Sequence, residues 1–204
     1  MTAIVCNPVP LESGDRLSRD EFHRRYSLRP DLKKAELVEG VVYVASPVRI
    51  EQHGEPHTLL AGWAFTYGVT HPEVRIATDT TVRFDERNEV QPDLFLFNPA
   101  RADAIRDDGY FHGPPDLVVE VAASSAAYDL HAKKAVYEQF GVPEYVVWDV
   151  EGGRVLWFVL ESGAYSELTP AKNGIFESRQ FPGLRLDTKA LLEGDRKKLV
   201  AAIR

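Results

Sequence analysis

Residues 115–134 read PDLVVEVAASSAAYDLHAKK, and the fold turns on how this stretch is divided. Residues 117–122 form a short, Val-rich apolar run, the pattern of a strand buried inside a sheet. Strand alternation puts Val118, Glu120 and Ala122 on one face and Leu117, Val119 and Val121 on the other. After a patch of small residues the period changes. Lys133, Val136, Tyr137 and Phe140 recur at intervals of three and four as one helical stripe, and Gly141 and Pro143 stop that helix. The stripe is otherwise apolar, so Lys133 is expected to point at the sheet. Lys134 then points outward with Glu138 four residues on, a surface pair worth about 0.3–0.5 kcal/mol. A carboxylate in a buried strand is costly unless it is paired, neutralised or bound to a metal. Lys133, with Asp129 four residues before it to hold it, is a natural counter-charge for Glu120.

Upstream, LSRDEFHRRY predicts a first helix, with Ser18 as N-cap, Glu21 completing a capping box and Pro30 ending it. AELVEGVVYVAS predicts a hairpin around Glu39-Gly40. Leu59, Leu60, Trp63 and Tyr67 predict a helix over 57–68. VRIATDTTVRF and VQPDLFLF read as strands separated by the polar turn DERNE, and residues 98–114 as a loop. Downstream, EYVVWDV and RVLWFVL are strands joined through Glu151-Gly152-Gly153, followed by further strand and loop and a short helix from about 188. The order implies an α/β or α+β fold, a mixed central sheet flanked by helices, with an N-terminal helix and hairpin. A length of 204 residues suits a single domain over 1–204, with residues 1–15 expected to be loosely ordered.

Composition is ordinary for a globular chain, 44% hydrophobic and 27% charged, and sets no special class. Apolar runs reach only about six residues, far short of a membrane span. The first fifteen residues lack the basic and apolar regions of a secretory signal, and Cys6, the single cysteine, allows no internal disulfide. These features predict a cytoplasmic protein with no membrane partner. A net charge of −7 argues against a nucleic acid held by bulk electrostatics alone. The charge is uneven, however. Residues 16–34 carry seven Lys/Arg against three Asp/Glu, which reads as a solvated helix face. Residues 79–120 carry ten Asp/Glu against four Lys/Arg, which is how a cation site would also look.

Asp93 opens the strand-like LFLF after Pro92, a residue at home at a strand end. If that strand neighbours the one carrying Glu120, the two carboxylates converge, and such a pair needs a proton or a cation between them. Oxygen-rich sites of this kind suit Mg²⁺ or Mn²⁺. With the inward Lys133 the set would make a one-metal or two-metal hydrolytic site. The metal would polarise a phosphate and acidify a bound water, and the lysine would stabilise developing charge. A structural ion-pair cluster fits the same residues. No Gly-rich phosphate loop, Cys/His zinc spacing or G-x-S-x-G elbow competes. His53 and His57 could share a helix face, although Pro56 between them weakens that.

The segments ELVEGVVYVASP, QPDLFLF and PDLVVEVAASSAAYDLHAKKAVYEQFGVPEY resemble the Uma-type restriction endonuclease family, within the PD-(D/E)XK nuclease superfamily, over about residues 18–160. The resemblance implies a mixed sheet flanked by helices, a divalent metal, phosphodiester hydrolysis with DNA as substrate, and the homodimers common among such nucleases. It makes Asp93 the acid of the Pro-Asp motif and Glu120 the second acid, both catalytic and both metal ligands. Ala122 stands where the superfamily's basic pattern has its lysine, and Lys133 is the matching position in the Uma-like branch. Glu39 and His53 also match the family pattern and are carried as supporting residues, with Asp129, which reads either as a helix-start residue or as the orienter of Lys133. Two other functions stay open: a nuclease-like fold that binds or regulates without cleaving, and a hydrolase of a non-nucleic phosphate ester. A groove flanked by Lys/Arg leading to Asp93 would favour nucleic acid, and a closed pocket a small ester.

Overall fold

The computed structural model describes residues 9–204. Ser18 Oγ accepts the Glu21 N–H and starts α1 (Arg19–Ser27). The hairpin follows as β1 (Ala35–Val38) and β2 (Val41–Val44). A π-helical turn, Ile50–Gly54, opens α2 (Glu55–Thr70), so this helix is longer than its apolar spacing predicts. Next come β3 (Arg75–Thr78), β4 (Val82–Asp85), β5 (Asn88–Val90) and β6 (Leu94–Phe97). The predicted loop holds a short helical turn, Pro99–Ala104, and β7 (Phe111–His112). Then β8 (Leu117–Ala122) leads through a second π-helical turn, Tyr128–Lys133, into α3 (Lys134–Gln139). The chain continues as β9 (Glu144–Asp149), β10 (Arg154–Glu161), β11 (Ala164–Glu167), β12 (Ile175–Glu177) and β13 (Arg185–Asp187). It ends on two helices in place of the predicted one, α4 (Thr188–Leu192) and α5 (Arg196–Ala201).

The mixed sheet flanked by helices is present, in the order β11-β10-β9-β8-β6-β3, with β8 and β9 parallel and the other pairs antiparallel. A second sheet, β2-β1-β5-β4-β7, takes up the hairpin. It exists because both central strand readings break. VRIATDTTVRF splits at residues 79–81, where Asp79 adopts a φ of 50°, and VQPDLFLF splits at 91–93, where Pro92 has no N–H for a ladder. At each break the chain leaves one sheet and enters the other.

The β8 alternation sorts the core. Leu117, Val119 and Val121 join α2 (Leu60, Trp63, Ala64, Tyr67) and the C-terminal helices in one cluster. Val118 and Ala122 join Val136 and Tyr137 of the α3 segment, and Val82 and Val90 of the second sheet, in another. The predicted Lys134–Glu138 surface pair does not form. Glu138 accepts the backbone N–H of Tyr165, and Lys134 Nζ sits 4.2 Å from the centre of the Phe158 ring, because β10 and β11 pass over that side of the helix.

Of the fifteen N-terminal residues expected to be loose, 1–8, Cys6 among them, lie outside the described residues. Residues 9–15 are held against the hairpin. Leu11 is buried with Phe22 and Leu37, Gly14 N–H donates to Val42 O, and Val44 N–H donates to Ser13 Oγ. Among the described residues no helix is long and apolar enough to cross a membrane.

The hairpin turn places Glu39 at φ 52° and Gly40 at φ 75°, the double left-handed geometry of a I′ turn. Gly40→Ala adds a Cβ penalty there, so its unfolding free energy in urea should fall by about 1–2 kcal/mol.

Candidate active site

The sheet crossing at residues 91–93, and β8 where it runs past the end of β6, leave backbone amides without ladder partners, and buried amides must find acceptors. Carboxylates supply them. Gln91 N–H donates to Glu36 Oε1 at 2.8 Å, Asp93 N–H to Glu120 Oε2 at 3.4 Å, and Val121 N–H to Asp93 Oδ2 at 2.8 Å. The β6–β8 pairing sets Leu94 opposite Val119, so Asp93 and Glu120 meet just beyond the first rung.

Glu120 is 1% exposed and Asp93 3%. Burying one ion costs several kcal/mol, whereas each apolar neighbour in β8 returns about 1.5–3 kcal/mol, so unpaired carboxylates would not stay here. Lys133 Nζ lies 2.5 Å from Glu120 Oε1, 3.0 Å from Glu36 Oε1 and 3.8 Å from Asp129 Oδ1. Tyr137 donates its hydroxyl to Glu120 Oε1 at 2.9 Å. Lys34 Nζ reaches Asp93 Oδ1 at 2.9 Å, and His53 Nε2 is 3.3 Å from Asp93 Oδ2.

These contacts give the acids different characters. Burial pushes Glu120 up, to about 8, with Asp93 adding to the rise and Lys133 opposing it. Burial also acts against the Asp93 anion, but His53, Lys34 and Lys133 outweigh it and hold that carboxyl well below the usual range. Glu36 is likewise held low, its burial outweighed by Lys133 and Lys34. Lys133 is raised despite burial by Glu120, Glu36 and Asp129, so it stays an ammonium.

The structure thus brings Asp93, Glu120, Lys133, His53 and Asp129 to one place and leaves Glu39 out. Glu39 has its side chain about half exposed at the turn, beside Arg87 and Asn88; its position follows from the left-handed turn, not from the cluster. His53 and His57 do stack, ring centres 5.8 Å apart, because Pro56 falls in the first turn of α2, where its missing N–H is not needed. His57 donates to Asp93 O at 2.9 Å.

Two members were missed. Glu36 is a carboxylate in the apolar run AELV, the same signal that drew notice to Glu120, but a hairpin strand is ordinarily solvated on one face and nothing local shows that this one is buried. Lys34 closes the basic stretch, four of whose arginines pair with acids near the surface: Arg19 with Glu86, Arg24 and Arg25 with Glu21, and Arg29 with Asp31.

The cluster faces a cavity of about 550 Å³ whose walls include Lys34, Glu36, Asp93, Glu120, Lys133, Arg49 and Ser124–Ser125. No three His, Cys, Asp or Glu groups form a ready metal cage among the described residues. The donors nonetheless suit a hard cation such as Mg²⁺, which binds through one or two carboxylates and keeps several waters. Asp93 and Glu120 would hold it.

Residues 19–189 match the Uma2 family, described as "Putative restriction endonuclease". Among solved structures four chains match. One, from Anabaena variabilis ATCC 29413 and described as "a putative nuclease belonging to DUF820", aligns with a TM-score of 0.62 at 14% identity, over 78% of this chain and 89% of that one. At that identity the likeness speaks for the fold. No curated protein matches the sequence.

Proposed function

Because the chain belongs to the Uma2 restriction endonuclease family, we propose that it is a divalent-metal-dependent endonuclease acting on DNA. Asp93 and Glu120 are its metal ligands and Lys133 its charge-stabilising group. The observation that supports this reading most is the pairing at the sheet crossing. Two acids 27 residues apart in sequence are set side by side, with a buried ammonium on one of them, at the wall of a cavity. Bound there, Mg²⁺ or Mn²⁺ supplies phosphate polarisation and activation of a water.

The chain's own groups do the rest. Lys133 presents positive charge where negative charge develops on the phosphate, and a group already fixed needs no reorganisation as it forms. Glu36 and Asp129 fix that ammonium from its other sides. Lys34 and His53 keep Asp93 ionised, ready to bind a cation. One chain carries the whole set, so the reading needs no second subunit.

A nuclease fold that binds without cleaving is the second reading, and one observation favours it. Every acid of the pair is already satisfied: Glu120 by Lys133, Tyr137 and Asp93 N–H, and Asp93 by Lys34, His53 and Val121 N–H. Calorimetric titration of Mn²⁺ separates the two. Wild type should bind and the Asp93→Ala/Glu120→Ala variant should not, and wild type alone should then cleave plasmid DNA. Wild type that takes up no Mn²⁺ and leaves DNA intact would decide for the second reading.

A further inference from the structure

Beside the acidic cluster, residues Ala45 to Arg49 leave the hairpin and line the cavity mouth, and Ile50 follows as the first residue of the first π-helical turn. Its surface is unusual. Val48 is 68% exposed and Ile50 74%, the latter the most exposed large apolar side chain among the described residues. Arg49 stands between them, exposed and lining the cavity, with no ion pair or side-chain hydrogen bond among the described residues. The other cavity-lining cations are committed, Lys34 to Asp93 and Lys133 to Glu36 and Glu120. Most of the arginines of the basic N-terminal stretch are also paired with surface acids.

Scattered exposed apolar residues need no explanation, but two in adjoining positions around an unengaged arginine, at the mouth of a charged cavity, do. We propose that residues 46–50 are a DNA-contacting finger, with Arg49 on a backbone phosphate next to the one at the acidic cluster and Val48 and Ile50 against sugars and base edges of a duplex. The proposal rests on the nuclease reading above and adds to it how the substrate is held. Charge and shape both point to that occupant. A polyanion needs a cation not already neutralised, and exposed aliphatic side chains beside an arginine are what enters a groove and presses on base steps. A small phosphate ester would use Arg49 but leave Val48 and Ile50 in water.

The test measures binding of a fluorescent DNA duplex by anisotropy, with Ca²⁺ as the hard cation, over a range of salt, beside Mn²⁺ calorimetry on the same proteins. Arg49→Ala should weaken duplex binding about tenfold and make the plot of log affinity against log salt shallower by about one phosphate contact. Val48→Ser/Ile50→Ser should weaken it about tenfold with the salt slope unchanged. Both variants should bind Mn²⁺ as wild type does. Variants that hold the duplex as tightly as wild type overturn the finger and leave the metal site standing. Wild type that binds Mn²⁺ but prefers single strands or RNA overturns the duplex as occupant. Wild type that binds neither Mn²⁺ nor DNA removes the nuclease reading and the finger with it.

Discussion

Lys133→Met should lower the free energy of unfolding by about 3–5 kcal/mol, the cost of stranding buried charge. Met fills much the same volume, so packing is nearly kept and the loss reports electrostatics. Lys133 is 1% exposed and its ammonium lies within 4 Å of Glu36, Glu120 and Asp129. Without it, Glu36 must stay ionised beside Lys34 alone, or take up a proton and lose the Gln91 amide as a charged partner. Urea denaturation at neutral pH measures the loss. The same experiment on Lys133→Met/Glu36→Gln gives the coupling, because Glu36 is the ionised partner of that ammonium and removing both ends of a buried pair costs much less than removing one. A single variant within about 1 kcal/mol of wild type would mean that the cluster is not held by this ammonium.

Glu120→Gln should keep the fold and lose the metal, with DNA cleavage falling at least about 100-fold. Fold retention follows from protonation. Burial first, and then Asp93, push Glu120 up to about 8, so near neutral pH its side chain largely carries a proton, and Gln is close to that form in shape. The proposed metal ligation needs the anion, and Gln cannot supply it. The sign of the pH dependence is set by the same shift. The folded state holds the Glu120 proton more tightly than the unfolded chain does. Its contribution to stability is therefore present below the usual carboxylate range and is lost as pH rises toward about 8. Asp93 and Glu36, held low, contribute in the opposite sense: their stabilisation is present above the usual range and disappears in acid. Wild-type melting temperature should thus slope down from weakly acidic pH toward about 8, and Glu120→Gln should slope less, keeping only what Asp129 and Glu144, also pushed up by burial, contribute in the same sense. In the proposed site Mn²⁺ would displace the same proton, so its affinity for wild type should rise with pH through this window. Calorimetry in two buffers of different ionisation heat should show close to one proton released. A wild-type pH profile no steeper than the variant's would show that Glu120 is ionised throughout.

Much of this molecule is written locally. Ser18 and Glu21 spell the start of α1, and Glu39-Gly40 spells a turn whose two left-handed residues close the hairpin. Six residues of β8 suffice to say which side chains share a face, and the stripe through Val136 and Tyr137 suffices to turn Lys133 inward. Such features depend on neighbours a few positions away, so periodicity and capping chemistry decide them. The segment resemblance added the family.

What the local pattern could not hold is where separate segments meet. Continuous readings through Asp79 and Pro92 hid the passage between two sheets, because Asp79's turn and the missing Pro92 amide become decisive only when a second sheet waits on the other side. Glu36 lies 97 residues from the lysine it holds, and Lys34 59 residues from Asp93. From the sequence Glu39 looked the nearer candidate, yet the turn sends it to solvent and buries Glu36 three positions earlier. Composition, helix caps, strand alternation and the inward lysine were determined by the sequence itself. Which carboxylates share that lysine was decided only by the tertiary structure, since burial and long-range charge pairing depend on strand order, and strand order is not a local property.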